Sequence, residues 1–307
     1  MTDYADVIDG SEYTLGLAEH VDIPQSDAGI AQTVRTYVKK NNIESPKILD
    51  LGCGPGRITK LVANSLRGYD YQVTGLDISE GFIATAKQNN TDERINFINQ
   101  NFVESDLESE SFHVIFLQGF YHHIDPEERP LFLEKARGLL KSGGLIIVGD
   151  EYIPDYSTEE ERVVNVMGLY AYVIASALRS NSPELARIEA MNVVDDVCAG
   201  QDGAGHSDDA LRDYIYAQST KIYGSVYEDG TKTDSYKQLL TETAQEIQKR
   251  SAELASTQEQ NHDRGDYKIS TEKQKQDLDQ AGFNFVETKI YGPVDWLGGM
   301  GLVIYRR

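Results

Sequence analysis

The sequence predicts an α/β protein: a mostly parallel sheet of seven strands that ends in an antiparallel hairpin, with a large helical insertion after the fifth strand. Three observations predict it. Short apolar strands alternate with helical segments from residue 46 to residue 150. A glycine-rich turn, Gly52-Cys53-Gly54-Pro55-Gly56, joins the first of those strands to the helix after it. The alternation then stops, and a long helical stretch precedes two further β-like pieces. Strands alternating with helices imply right-handed crossovers and a parallel sheet covered on both faces.

Each element has its own signal. Ile48, Leu49 and Leu51 make a short apolar strand, and the glycines follow at once. From Arg57 to Leu66, the residues Ile58, Leu61, Val62 and Leu66 recur at helical spacing. Tyr71 to Leu76 reads as a strand ending at Asp77, Glu80 to Gln88 as a helix, and Ile95 to Ile98 as a strand. Phe112 to Leu117 is a buried strand, Glu127 to Leu140 a helix, and Gly143-Gly144 leads into the strand Leu145 to Val148. Past Asp150, four segments look helical: Thr158 to Arg179, Pro183 to Cys198, Asp208 to Ile222 and Ser235 to Gln260. A short helix, Glu272 to Ala281, ends at Gly282, a suitable C-cap. The strands Phe285 to Tyr291 and Gly301 to Tyr305 close the chain. The expected organisation is an N-terminal cap segment over 1–30, a core over 31–152 and 266–307, and an insertion over 153–265.

Composition narrows the function classes. The chain has 307 residues and 40% hydrophobic content, enough for one substantial core with an insertion. Its net charge of −21 would repel phosphate backbones, so a nucleic-acid partner is not expected. Two cysteines, Cys53 and Cys198, form neither a metal spacing nor a disulfide framework. The first ten residues are acidic and lack an apolar stretch, so no signal peptide is expected. The longest uncharged run, between Arg162 and Arg179, has 16 residues, too short for a membrane span. The cytoplasm is the expected compartment.

The chemistry centres on the glycine turn. Glycines between strand and helix permit backbone angles and close approaches that a Cβ would block. The turn falls at the carboxyl edge of a parallel sheet, where such folds bind ligands. Arg57 stands where the dinucleotide pattern G-x-G-x-x-G has its third glycine, which argues against a nicotinamide or flavin cofactor. Asp77 ends the second strand, and a carboxylate there can accept hydrogen bonds from ribose hydroxyls or cap the next helix.

Together these segments resemble the class I S-adenosylmethionine-dependent methyltransferases, a Rossmann-like family. LDLGCGPGR resembles the family's first motif, VTGLDIS its second-strand motif, and SFHVIFLQGFYHHI its fourth strand and following loop. KSGGLIIVGDEY resembles the fifth strand, and AGFNFV with GLVIYRR the final hairpin. The resemblance covers residues 30–152 and 266–307 and leaves the insertion, 153–265, outside it. It implies S-adenosylmethionine as cofactor and S-adenosylhomocysteine as product. Asp50 and the backbone of Gly52, Cys53, Gly54 and Gly56 would face the methionine end, Asp77 the ribose and Ile78 the adenine. Asn101 and Phe102 would lie at the adenine edge, and Gln118 near the methionine and the substrate. Asn101 departs from the family's usual Asp, but an amide oxygen can still accept from an adenine amino group. His113 also replaces a usual Asp, and within a strand it reads as structural.

The family reaction is an in-line displacement at a sulfonium methyl, so the protein must align the acceptor and exclude water. Acceptors such as phenols also need a proton removed. The candidates for that are His122 and His123, after the fourth strand, and Glu151, after the fifth; each reads equally as a structural group. Tyr13, Tyr121, Tyr152 and Tyr170 are candidate substrate contacts, against the ordinary use of tyrosine in core packing. The Asp-Asn pair that a catecholate-type Mg²⁺ site would want after the fifth strand is Asp150-Glu151 here, so no catalytic metal is expected. The expected function is methyl transfer to O, N or C of a small molecule beneath a helical lid. Protein or RNA methylation, or cofactor binding without transfer, stays open. The insertion would equally suit a homodimer contact.

Overall fold

In the computed structural model, residues 22–197, 209–223, 234–255, 267–292 and 298–307 are described. Tyr13, Cys198 and the end of the segment read as a helix to Gln260 lie outside them.

Helix α1 (Ile23–Lys40) precedes strand β1 (Lys47–Leu51), and the glycine turn leads into α2 (Arg57–Ser65). Then follow β2 (Gln72–Asp77), α3 (Glu80–Gln88), β3 (Ile95–Asn99) and β4 (Phe112–Gln118). A single 3-10 turn, Tyr121–His123, leads on to α4 (Arg129–Leu139) and β5 (Leu140–Tyr152). The insertion contributes α5 (Glu159–Arg179), α6 (Pro183–Val197), α7 (Asp209–Tyr223) and α8 (Asp234–Ala255). The core resumes with α9 (Thr271–Gln280), β6 (Asn284–Ile290) and β7 (Gly299–Arg306).

The sheet order is β3-β2-β1-β4-β5-β7-β6. The first five strands are parallel, and β7 runs antiparallel between β5 and β6. Strand order reverses between β1 and β4, so a crevice opens beyond their carboxyl ends. Side-chain alternation sorts the sheet into two apolar layers. Ile48, Val114, Phe116 and Ile147 pack under α1, α2 and α3, whereas Leu49, Leu51, Ile115 and Val148 pack under α4 and α9.

Some boundaries differ from expectation. Helix α1 crosses the expected boundary at residue 30; Ile30, Val34 and Val38 recur every four residues and are fully buried. On α2 the buried stripe is Ile58, Thr59, Val62 and Ala63, with Leu66 just beyond, while Leu61 is 38% exposed. Strand β5 begins at Leu140, because Gly143-Gly144 lies inside it: Gly143 takes φ +73 and the register against β4 shifts there. Helix α4 starts at Arg129, with Pro130 in its first turn, where a missing N–H costs nothing. Among the described residues no helix is long and apolar enough to cross a membrane.

Candidate functional site

The turn after β1 is built by backbone geometry. Gly52, Gly54 and Gly56 all take positive φ, at +70, +51 and +80. Gly52 N and Cys53 N donate to Leu76 O on β2, at 2.9 and 3.1 Å, which folds the turn against the neighbouring strand. A Cβ on Gly52 would stand 2.5 Å from the Phe120 ring, and one on Gly56 2.7 Å from Phe97. A Cβ on Gly54 would meet nothing closer than Phe82 at 4.0 Å. Gly54 is therefore the point where the loop backbone stays open to an approaching group.

Asp77 organises that opening. Its Oδ2 accepts from Gly54 N at 2.7 Å and its Oδ1 from Ser79 N at 2.9 Å. A carboxylate is an acceptor with about four positions, the chemistry that ribose hydroxyls call for. Ile78 beside it is 54% exposed, an apolar side chain placed to cover a flat ring. Asp50 is buried beneath the turn, where its Oδ2 accepts from Thr59 Oγ1 at 2.6 Å. Burial pushes its carboxyl up to about 7. Cys53 is also buried, and burial raises its thiol well above the usual range. This cradle of glycine backbone, carboxylate and exposed apolar side chain fits a nucleoside cofactor.

Other expected contacts are distributed differently. Asn101 Oδ1 accepts from Val103 N at 2.9 Å, so it shapes its own loop. Phe102 is buried against Phe132, with ring centroids 4.7 Å apart, and lies in the core layer. Gln118, at the end of β4, hydrogen-bonds Ser26 Oγ in the first turn of α1 and lies across Gly149. His113 Nδ1 accepts from Lys47 N at 3.0 Å, a structural use.

The turn after β4 carries a buried pair. His122 Nδ1 lies 2.5 Å from Asp150 Oδ1, and His122 N donates to Asp150 Oδ2 at 3.0 Å. Both residues are under a tenth exposed. A carboxylate only accepts, so it holds the imidazole proton on Nδ1 and orients the ring. The rings of His122 and His123 are 4.0 Å apart. Asp150 also accepts from Glu151 N at 2.9 Å.

Tyr121 and Tyr152 belong to the core. Tyr121 is fully buried and donates to Asp277 Oδ2 at 2.8 Å; burial drives its phenol far above the usual range. Tyr152 is buried too, with its hydroxyl bonded to Gln274 and to Val148 O. Tyr170 lies inside the insertion, where its hydroxyl donates to Asp196 Oδ2 at 3.1 Å and receives Lys268 Nζ at 2.7 Å. Glu151 Oε2 lies 3.4 Å from the same ammonium. The fold thus gathers Asp50, the glycines, Asp77 and Ile78 at one end of the crevice, and His122, Asp150 and Glu151 at the other.

Sequence reasoning missed the roles of Asp150 and Lys268. Asp150 was legible as the residue ending the fifth strand, but its partner is 28 positions away. Lys268 meets Tyr170 across 98 positions, a distance no local pattern reports. Among the described residues no group of three or more His, Cys, Asp or Glu is placed to hold a metal ion.

Comparison with known proteins bears on the same segment. Residues 48–144 match the family model described as a methyltransferase domain. A carboxy-S-adenosyl-L-methionine synthase of Vibrio vulnificus is 23% identical over 143 residues, 45% of this chain and 56% of that protein. A release factor glutamine methyltransferase of Fusobacterium nucleatum is 38% identical over 91 residues, 30% of this chain and 24% of the relative. A ubiquinone biosynthesis O-methyltransferase of Glaesserella parasuis is 26% identical over 117 residues, 36% and 47% of the two chains. The chain spans about half the length of the first of these curated relatives. A Mesorhizobium loti S-adenosylmethionine-dependent methyltransferase structure aligns over 90% of this chain and 96% of its own, at 14% identity and TM-score 0.47.

Proposed function

We propose that this chain, whose residues 48–144 match the family model of a methyltransferase domain, moves a methyl group from S-adenosylmethionine to O, N or C of a small molecule held beneath the helical insertion. One observation carries the reading. The glycine turn with Asp77 and the His122–Asp150 pair lie at the same edge of the sheet, at the carboxyl ends of β1, β4 and β5.

In this reading Asp77 receives the ribose, Ile78 covers the adenine, and the Gly52–Gly56 backbone with Asp50 receives the methionine end. Gln118 lies between that end and the acceptor. When bound, S-adenosylmethionine supplies an activated methyl on a cationic sulfur and leaves as a neutral thioether. His122 Nε2 takes the proton of a hydroxyl or N–H acceptor, while Asp150 holds the ring and its tautomer. The insertion leaves the sheet at the carboxyl end of β5, and Tyr172 on α5 donates to Asp22 Oδ2 beside α1 at 3.2 Å. That placement supports a lid that excludes water from the transfer. Tyr13, His123 and Glu151 remain candidate acceptor contacts.

The relatives carry different names: one is a ubiquinone biosynthesis O-methyltransferase, another a release factor glutamine methyltransferase. The net charge of −21 speaks against a nucleic-acid acceptor. The test is methyl transfer from tritiated S-adenosylmethionine into a cell extract split by size. Label in the small-molecule fraction supports the proposal, and label confined to protein or RNA overturns it. Conversion of the cofactor itself, as the name of the Vibrio relative describes for that protein, would show as a modified cofactor and no labelled acceptor.

A further inference from the structure

At the root of the insertion lies a buried cluster of charges centred on Lys268, a residue that the proposed reaction does not use. Lys268 is 1% exposed. Its Nζ donates to Tyr170 Oη at 2.7 Å and pairs with Asp196 Oδ2 at 3.1 Å and Glu151 Oε2 at 3.4 Å. The ammonium sits 4.8 Å from the Tyr170 ring centroid. Its own backbone N–H donates to Asp196 Oδ1 at 3.3 Å. Arg162 completes the cluster, with Nη1 3.3 Å from Asp196 Oδ1 and Nη2 donating to Asp196 O at 2.9 Å. Charges taken so far from water persist only when paired and hydrogen-bonded, and removing one partner strands the others.

Among the described residues the cluster joins the two units, alongside the Tyr172–Asp22 contact. Helices α5 to α8 close around their own apolar core, to which the connection from β5 adds Ile153. Among the described residues, no insertion helix packs broadly on a helix or strand of the core. Both chain crossings meet in the cluster: Glu151 on the way out and Lys268 on the way back. The residues flanking Lys268 bond to the turn of His122 and to the connection after β5. Tyr267 N donates to His122 O at 2.7 Å, and Ile269 O accepts from Ile153 N at 3.3 Å.

We infer that Lys268 is a positioning residue, seating the helical insertion on the core and fixing the turn of His122 and the exit of β5 against it. The acceptor role of that end rests on the proposed function, whereas the seating is a property of the protein without ligand. If the cluster is the seat, losing the ammonium frees the insertion as a block and loosens residues 150–153 with it, while β1 and β4 stay closed.

The experiment is hydrogen exchange followed by mass spectrometry on the full chain in mild urea, with wild type, Lys268→Met and Lys268→Arg. Calorimetry with S-adenosylhomocysteine runs alongside. The wild type should open 159–197 as one unit at lower urea than β1 and β4. Lys268→Met should speed exchange in 150–153 and 159–197 by at least about tenfold. Lys268→Arg should restore most of the protection, because the charge is kept. Unchanged exchange in Lys268→Met, or an arginine variant as loose as the methionine one, overturns the inference. If Lys268→Met does not fold, Glu151→Gln decides: faster exchange in 159–197 supports the seat, and no change contradicts it. Failure of the wild type to bind S-adenosylhomocysteine would count against the proposed function and leave the exchange result standing.

Discussion

Asp50 lies under the glycine turn with its carboxyl raised by burial to about 7, against an ordinary value near 4. A carboxyl raised on folding favours the native state below pH 4, and that contribution is lost as pH rises through 7. Asp50→Asn keeps an acceptor for Thr59 and carries no charge to bury. The variant should gain on the wild type by roughly 1–4 kcal/mol between pH 4 and pH 8. Urea titrations at the two pH values measure this, and a gap that does not change with pH would contradict it. At the other end of the crevice, His122→Asn and Asp150→Asn should each lower kcat/KM by about 10²-fold for a hydroxyl acceptor, without changing cofactor affinity. Parallel calorimetry and initial rates separate those two effects. The position of Asp50 at the end of β1 was legible, because the glycine motif marks it. The partnership of Asp150 with His122 was not, because adjacent parallel strands bring together positions that no local spacing relates.

The strand–turn–helix unit at β1 is where backbone strain and ligand access separate. Gly52 and Gly54 share positive φ, but only at Gly52 would a Cβ strike a ring. Gly52→Ala should cost about 2–4 kcal/mol in stability. Gly54→Ala should cost only about 1–2 kcal/mol, yet obstruct the open face of the loop. Chemical denaturation with S-adenosylhomocysteine titration tests the pair: stability should drop more in the first, and binding more than stability in the second. Equal losses of both in the two variants would contradict this division. Elements with clean periodicity, such as β1, β4 and α9, were legible within a few residues. Helix α1 was not, because Ser26, Asp27 and Gly29 are weak helix formers in its first turns. Its long-range packing explains them: Ser26 meets Gln118, Asp27 pairs with Arg57, and Gly29 lets Tyr291 approach. Strand β5 was read short because a glycine pair looks like a turn, whereas here it forms a bulge against β4.

The whole molecule is two units with different kinds of cohesion, an α/β core with an apolar layer on each face and a helical insertion around its own core. The break after Asp150 was visible where strands ceased to alternate with helices. The ionic root of the insertion was hidden, since Glu151, Arg162, Asp196 and Lys268 come from distant parts of the chain. At net charge −21, the protein should bind fluorescent RNA no tighter than about 100 μM at moderate salt, as read by anisotropy. The measurement that tests the account most directly is calorimetric titration of wild type and Asp77→Ala with S-adenosylhomocysteine. The account predicts one site in the wild type, and an affinity at least about tenfold weaker once the carboxylate beside Gly54 is gone. A wild type that takes up no S-adenosylhomocysteine, or a variant that binds as tightly, would contradict the assignment of the site.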